Sequence, residues 1–315
     1  MDEISPSIRG NWENYIKGIF HVIQEEGFSL QGLDVLVSSD IPLKAGLSSS
    51  AAFEISMLSA VNKLYGLHLP PLKIAMLGQR AENNFVGMQC GIMDQFIAIF
   101  GMKNRAILLD CITLQHEYVP LKLEKKGLRI LVYDTQVKRE LALSDYDTRR
   151  NEAHAALDVL RKAGFKTYRD IDLSTLVEMR PKLESILFKR ARHVISENDR
   201  VNRAVCALKN EDFITLGNLL FQSHESLRDD YEVSCPELDL LYEIGRRFSS
   251  CLGVRLTGAG FGGSCIAIVE EENIPVFKEM ILREAVDRGF IRPVFYEIKI
   301  GGGERIHALA SFEKE

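Results

Sequence analysis

Residues 46 to 50 read Gly-Leu-Ser-Ser-Ser and run straight into Ala51-Ala52, so one flexible glycine and three hydroxyls stand at the head of a strongly helical stretch. Such a helix start can bind an anion. Its first backbone N–H groups lack intrahelical partners and carry a partial positive charge, and the serine hydroxyls can reach a phosphate or its magnesium. Downstream, Ala51, Ile55, Leu58, Val61 and Tyr65 recur at helical spacing while Glu54 and Lys63 fall off that stripe. The spacing predicts a helix over Ser49 to Leu64 that buries one face. The plainer alternative is that the serines are N-caps, a role serine favours strongly. Three in a row after Ala45-Gly46-Leu47 shift the reading toward phosphate. The lysine-bearing loop G-x-x-x-x-G-K-[ST] is absent, so a nucleotide site here is of another type.

A second glycine-rich element, Leu256-Thr257-Gly258-Ala259-Gly260-Phe261-Gly262-Gly263-Ser264, contains a Gly258-x-Gly260-x-x-Gly263 pattern. A dinucleotide fingerprint should open a helix, but Cys265 to Val269 reads as a buried strand, which rejects that fingerprint. Two readings stay open for the loop. It is either a tight hairpin turn or a place where backbone closely approaches a ligand.

Several elements must position these loops. A strand at Leu33 to Val37 is expected to feed the first loop, with a helix opening around Trp12 to Gly18 before it and helices at Ser49 to Leu64, Pro71 to Phe85 and Gly91 to Phe100 after it. Short apolar or alternating runs at Ala106 to Leu109, Tyr118 to Leu121 and Ile130 to Tyr133 predict strands. From Ser144 the pattern turns helical, with long stretches at Asp145 to Ala163, Arg180 to Leu208, Phe213 to Leu227 and Glu237 to Phe248, and then strand, helix and strand to Ile298. A helical insertion in a split sheet is an α+β arrangement. No repeat or low-complexity tract interrupts it, and the division between domains is expected near Val137 to Leu143.

Composition narrows the class without naming it. At 315 residues, 46% hydrophobic and 26% charged, the chain can bury a large core, plausibly in two domains of about 100 to 200 residues each. A net charge of -5 with no basic aromatic cluster argues against nucleic-acid binding. Cys90, Cys111, Cys206, Cys235, Cys251 and Cys265 include no C-x-x-C pair, which argues against structural zinc and for reduced thiols in a cytoplasmic protein. No signal peptide is expected, and no apolar run is long enough to cross a bilayer.

The motifs together resemble a known family. Pro42 through Ala52 and Thr257 through Ser264 resemble the second and third motifs of the GHMP small-molecule kinases. Cys90-Gly91-Ile92-Met93-Asp94-Gln95 is similar to the segment that carries the catalytic aspartate of galactokinases, and Ser223 through Glu237 resembles a further galactokinase-type segment. The resemblance runs from about Trp12 to Glu297 with motif order and spacing kept. It implies a GHMP kinase fold: an amino-terminal nucleotide-binding domain (1–140) like the second domain of ribosomal protein S5, a ferredoxin-like carboxy-terminal domain (141–315), and an active site between them. It also implies ATP and Mg2+ as cofactors, and phosphorylation of galactose at its anomeric hydroxyl. Carried onto this sequence, the nucleotide loop is Lys44, Ala45, Gly46, Leu47, Ser48, Ser49 and Ser50. Asp94 is the catalytic and sugar-binding carboxylate, Ser50 and Glu82 are the magnesium ligands, Tyr146 is a sugar contact, and Gly258, Gly260 and Gly262 form the phosphate-side glycine loop. Taken singly, Asp94 reads as a helix-start charge, Glu82 as a solvated helix-face charge and Tyr146 as an amphipathic core residue. His224, Arg228 and Asp229 read as scaffold.

Two departures from the family pattern set further expectations. The galactokinase opening motif G-R-x-N-L-I-G-E-H-x-D-Y has no counterpart here, and Arg9 is the only arginine ahead of the phosphate loop. Losing one transition-state donor removes about two to three powers of ten in rate, so an amino-terminally shortened galactokinase with poor turnover is expected. A noncatalytic nucleotide or sugar sensor and an N-acetylgalactosamine kinase are the alternatives. Lys44 stands where the family usually has glycine, and there it either crowds the loop or helps hold a phosphate. Monomer and homo-oligomer both remain open.

Overall fold

A computed structural model describes residues 4–8, 11–42, 45–137 and 142–307, without side chains for residues 142–144. Arg9, Leu43 and Lys44 lie outside the described residues. The chain forms two compact units.

The amino-terminal unit holds Met1–Ile41, Ser48–Tyr118 and Ile300–Glu315. Its helices are α1 (Glu13–Glu25), α2 (Ser49–Leu64), α3 (Pro71–Arg80) and α4 (Met93–Phe100). Strand β1 (Arg105–Leu109) pairs with β2 (His116–Pro120). Pro71 opens α3 at a position where its missing N–H goes unneeded. The apolar stripes of α1, α2 and α3 bury Ile19, Val22, Ile23, Ile55, Leu58, Val61, Ile74 and Leu77 against one another. The end of the chain returns to this unit, where the N–H groups of Gly303 and Glu304 donate to the carbonyls of Gly101 and Ala98 beside α4.

The second unit holds Pro42–Leu47 and Val119–Lys299. It begins earlier than the expected Val137 to Leu143, because β3 (Leu128–Asp134) pairs antiparallel with both β5 (Ser264–Glu270) and β6 (Val294–Ile298). Residues 138–141 of the expected division are outside the described residues. After β3 come α5 (Ala142–Lys162), α6 (Leu173–Met179), α7 (Ser185–Lys209), α8 (Phe213–Asp229) and α9 (Pro236–Arg247). Strand β4 (Cys251–Thr257), β5, α10 (Ile274–Asp287) and β6 complete the unit. Sheet order β4-β5-β3-β6, reached through helix, hairpin and helix, is the split β-α-β-β-α-β pattern of ferredoxin-like folds. One core lies under this sheet, with Leu131, Leu241, Ile244, Val254 and Phe277 among its members. A second lies among the inserted helices, with Leu160, Leu176, Phe188 and Ile195.

Three local expectations need correction. Leu33 to Val37 is not a strand: no described strand pairs with it, and Leu36 is 97% exposed. Alternating apolar residues make a strand only where a neighbour completes the hydrogen-bond ladder. The helix expected over Arg180 to Leu208 is broken at its start. α6 ends at Met179, a tight turn at Arg180–Lys182 contains Pro181, and α7 opens only at Ser185. A proline tolerates the first turn of a helix but not its interior. The stretch expected as a helix from Pro71 to Phe85 continues past α3 as a wider π turn over Ala81–Val86.

Candidate active site

The two glycine-rich elements of the sequence meet inside the second unit. Ser264 Oγ donates to the carbonyl of buried Ala45 at 2.5 Å. Gly46 is at φ +68, and a Cβ placed on Gly258 would lie 3.4 Å from Gly46 Cα. Thr257 pairs with Ser264, so Gly258 to Gly263 form a hairpin turn between β4 and β5, with no helix to complete a dinucleotide fingerprint. At Gly260 a Cβ would stand 2.3 Å from the Val233 carbonyl, to which Phe261 N–H donates at 2.6 Å. A Cβ on Gly262 would likewise come within 2.7 Å of the Val137 carbonyl. Both glycines accommodate the chain's own backbone.

At the head of α2 the serines do not behave as caps. Ser48 occupies the N-cap position in the left-handed region (φ 54, ψ 38) and its side chain makes no capping bond. Ser49 and Ser50 are half-buried in the first turn. Tyr15 of α1 lies near Ser50, Glu82 and Glu54. Burial raises the Tyr15 pKa, and the nearby Glu82 and Glu54 charges add to that.

Glu82 sits in the π turn, a distortion that recurs at functional sites. Its Oε2 accepts from Gln95 Nε2 at 2.7 Å and from Cys90 Sγ at 3.2 Å. Gln95 Nε2 also donates to Glu54 Oε2 at 3.0 Å. Glu54, Glu82 and Gln95 are all buried, and the Oε1 atoms of Glu54 and Gln95 are buried without a partner. Burial first, and the Glu82 charge second, push the Glu54 carboxyl up to about 9, with the Gln95 bond opposing. The same two causes, in the same order, push the Cys90 thiol up to about 12. The loop that carries Cys90 is pinned by Asn83, whose Oδ1 accepts from Cys90 N–H at 2.8 Å.

Asp94 is exposed in the first turn of α4, next to Gln95. Tyr146 on α5 is half-buried and packs against the core under the sheet of the second unit. His224 is a fully buried tie between elements: Nδ1 accepts from Leu256 N–H at 3.1 Å, Nε2 lies 3.1 Å from Asp239 Oδ1, and the ring stacks on Tyr242 at 4.8 Å. Nδ1 can accept only if Nε2 carries the proton, so the ring donates to Asp239. That is a scaffold's geometry.

The structure thus surrounds Glu82 with side chains that were not singled out, Glu54, Cys90 and Gln95, with Tyr15 near the same carboxylates. Glu54 needs a correction, because it falls off the apolar stripe of α2 yet is fully buried. The available signals were its spacing of four from Ser50, which puts both on one helix face, and the position of Gln95 directly after Asp94. Among the described residues no group of three His, Cys, Asp or Glu side chains could hold a metal unaided. A magnesium ion that arrives with nucleotide needs fewer protein ligands, and one carboxylate plus one hydroxyl are donors of the right hardness.

Comparison with known proteins identifies the class. Residues 14–102 match the GHMP kinases N terminal domain and residues 204–286 match the GHMP kinases C terminal domain. A galactokinase of Thermotoga neapolitana is 44% identical over 292 residues, covering 93% of this chain and 81% of that protein. A galactokinase of Pyrococcus furiosus is 40% identical over 294 residues, covering 93% and 80%. The crystal structure of Lactococcus lactis galactokinase complexed with galactose superimposes at a TM-score of 0.91 with 34% identity, covering 96% of this chain and 78% of that one. The fold is therefore that of a GHMP kinase, a class that uses ATP. Within that class, the chain belongs to the galactokinase family.

Proposed function

We propose that the chain transfers the γ-phosphoryl group of ATP to the anomeric hydroxyl of galactose, giving galactose 1-phosphate. The observation that carries this reading is the 0.91 TM-score, across 96% of the chain, to a galactokinase complexed with galactose. The backbone N–H groups at the head of α2, the hydroxyls of Ser48, Ser49 and Ser50, and the loop of Lys44, Ala45, Gly46 and Leu47 receive the nucleotide phosphates. The turn with Gly258, Gly260 and Gly262 braces that loop from the phosphate side, supported by the contact of Gly258 with Gly46. Ser50 and Glu82 are the residues that would hold Mg2+, which neutralises charge on the phosphate oxygens when bound. Asp94 takes or orients the proton of the sugar hydroxyl, and Tyr146 hydrogen-bonds the sugar. Carboxylates are weak bases, so the proton leaves late, as the new O–P bond forms, and positioning contributes most of the rate. The six cysteines are all free thiols, which suits a reducing compartment, and we place the enzyme in the cytoplasm.

A coupled assay of ADP release tests the reading. Galactose-dependent turnover is expected, and Asp94→Asn should lower kcat by about two orders of magnitude while nucleotide still binds. Nucleotide binding with no sugar-dependent ADP release would replace this reading with that of a sensor. Turnover on N-acetylgalactosamine in preference to galactose would change the acceptor.

A further inference from the structure

Gln95 spends both of its amide hydrogens on carboxylates from two different segments. Its Nε2 donates to Glu54 Oε2 on α2 at 3.0 Å and to Glu82 Oε2 on the π turn at 2.7 Å, and all three side chains are buried. A neutral amide can do this without adding charge, whereas a carboxylate at the same position would have no hydrogen to give and would meet the Glu82 charge. The contact with Glu82 also fixes which way the amide faces, since a flipped amide would turn its carbonyl oxygen toward that carboxylate. Cys90 Sγ adds a second donor to the same Glu82 oxygen. Both bonds therefore fall on Oε2, and Oε1 is the oxygen left to take a cation.

We propose that Gln95 is a positioning residue for the phosphoryl transfer: it holds Glu82 by Oε2, with Glu54 as its anchor, so that Oε1 serves the metal. The proposal rests on the reading of Glu82 as a magnesium ligand. Partners of this kind, which orient a ligand without touching the metal, contribute about ten- to hundredfold in metal affinity.

The test is a titration of Mn2+ into the protein bound to the non-hydrolysable analogue AMP-PNP, followed by electron paramagnetic resonance, for wild type, Gln95→Met and Glu82→Gln. Thermal melting first establishes that each variant is folded. Gln95→Met is expected to weaken Mn2+ binding by about ten- to hundredfold while the affinity for metal-free AMP-PNP stays at the wild-type value. Wild-type Mn2+ affinity in Gln95→Met, beside a Glu82→Gln variant that has lost it, overturns the positioning role and leaves the ligand assignment standing. Wild-type Mn2+ affinity in Glu82→Gln removes the ligand assignment and this proposal with it. Should Gln95→Met fail to fold, Cys90→Ala takes its place. It removes the other donor from the same oxygen and should also weaken Mn2+, and an unchanged affinity there counts against the proposal.

Discussion

Replacing Gly260 by alanine would show whether the glycine hairpin is shaped for the chain's own backbone or for a ligand. Gly260 lies at φ +82, where an added Cβ costs about 1 to 2 kcal/mol from local sterics alone. That Cβ would also stand 2.3 Å from the Val233 carbonyl oxygen and 2.9 Å from Val233 Cβ, so the two segments must part. Parting them breaks the 2.6 Å bond from Phe261 N–H to Val233, worth about 1 kcal/mol. It also loosens two core side chains, Phe261 and Val233, for about 1 kcal/mol more. The expected loss is about 3 to 4 kcal/mol. Gly263→Ala is the control, since Gly263 has φ +73 but nothing within 4 Å of its added Cβ, and only the steric cost of about 1 to 2 kcal/mol applies. Equilibrium urea unfolding needs two probes because the chain has two units. The single tryptophan, Trp12, reports the amino-terminal unit and circular dichroism reports both. The loss should appear in the transition that tryptophan fluorescence does not see. Equal losses in the two variants, or an unchanged Gly260→Ala stability paired with weakened AMP-PNP binding, would refute the packing argument and return this glycine to a ligand role.

Two more perturbations probe the second unit. His193 is buried, with Nδ1 2.9 Å from Ser226 Oγ and its ring stacked on Tyr231 at 4.5 Å. Burial holds its pKa down to about 4, Arg200 and Arg255 push the same way, and Glu197 and Asp230 oppose them. The unfolded chain therefore takes a proton below pH about 6.5 that the folded chain refuses, so stability is full above that pH and falls by about 3 kcal/mol toward pH 4. His193→Gln should flatten this dependence in urea midpoints measured at several pH values, and a slope equal to wild type would sink the assignment. Arg190 is fully buried and reaches Glu152 Oε2 at 2.7 Å and Glu232 Oε2 at 2.8 Å. Arg190→Met should cost about 3 kcal/mol, the low end for a broken buried pair, because Glu232 keeps Lys189 and partial solvent. An unchanged melting temperature would show that the guanidinium holds nothing.

Much of the fold was legible because periodicity is a local signal. The stripe from Ala51 to Tyr65 located α2, and the apolar runs at Ile130 to Tyr133 and Cys265 to Val269 located two strands of the four-stranded sheet. The break at Pro181 was a local signal passed over, whereas the other misreadings depended on neighbours distant in sequence. Leu33 to Val37 has the composition of a strand, but pairing is decided by what runs beside it. Glu54 sits off its helix's apolar stripe, yet Gln95, forty-one positions away, provides the donor that lets it stay buried. Tyr15 read only as part of the helix expected around Trp12 to Gly18, and its nearness to Glu82 and Glu54 arises only in the fold. Glu82 and Ser50 were singled out through motif resemblance, and Cys90 and Gln95, whose side chains bond Glu82, were not themselves singled out.

The head of α2 makes a physical argument for a bound anion that is independent of resemblance. A serine N-cap contributes about 1 kcal/mol by satisfying a first-turn N–H, and Ser48 forgoes that bond. It also adopts a left-handed conformation that costs a non-glycine residue about 1 to 2 kcal/mol. An ordinary helix would have used any of three adjacent serines to close its end. Local strain of this kind persists where the surroundings enforce it, and here Ser264 grips the Ala45 carbonyl three residues earlier. A phosphate at this helix start would supply the acceptors that the serine side chain withholds. Ser48→Gly separates the two effects: relief of the left-handed strain should raise stability by about 1 kcal/mol without nucleotide. Metal-free AMP-PNP affinity should change little if the amides do the binding, and a collapse of that affinity would show that the Ser48 hydroxyl carries it.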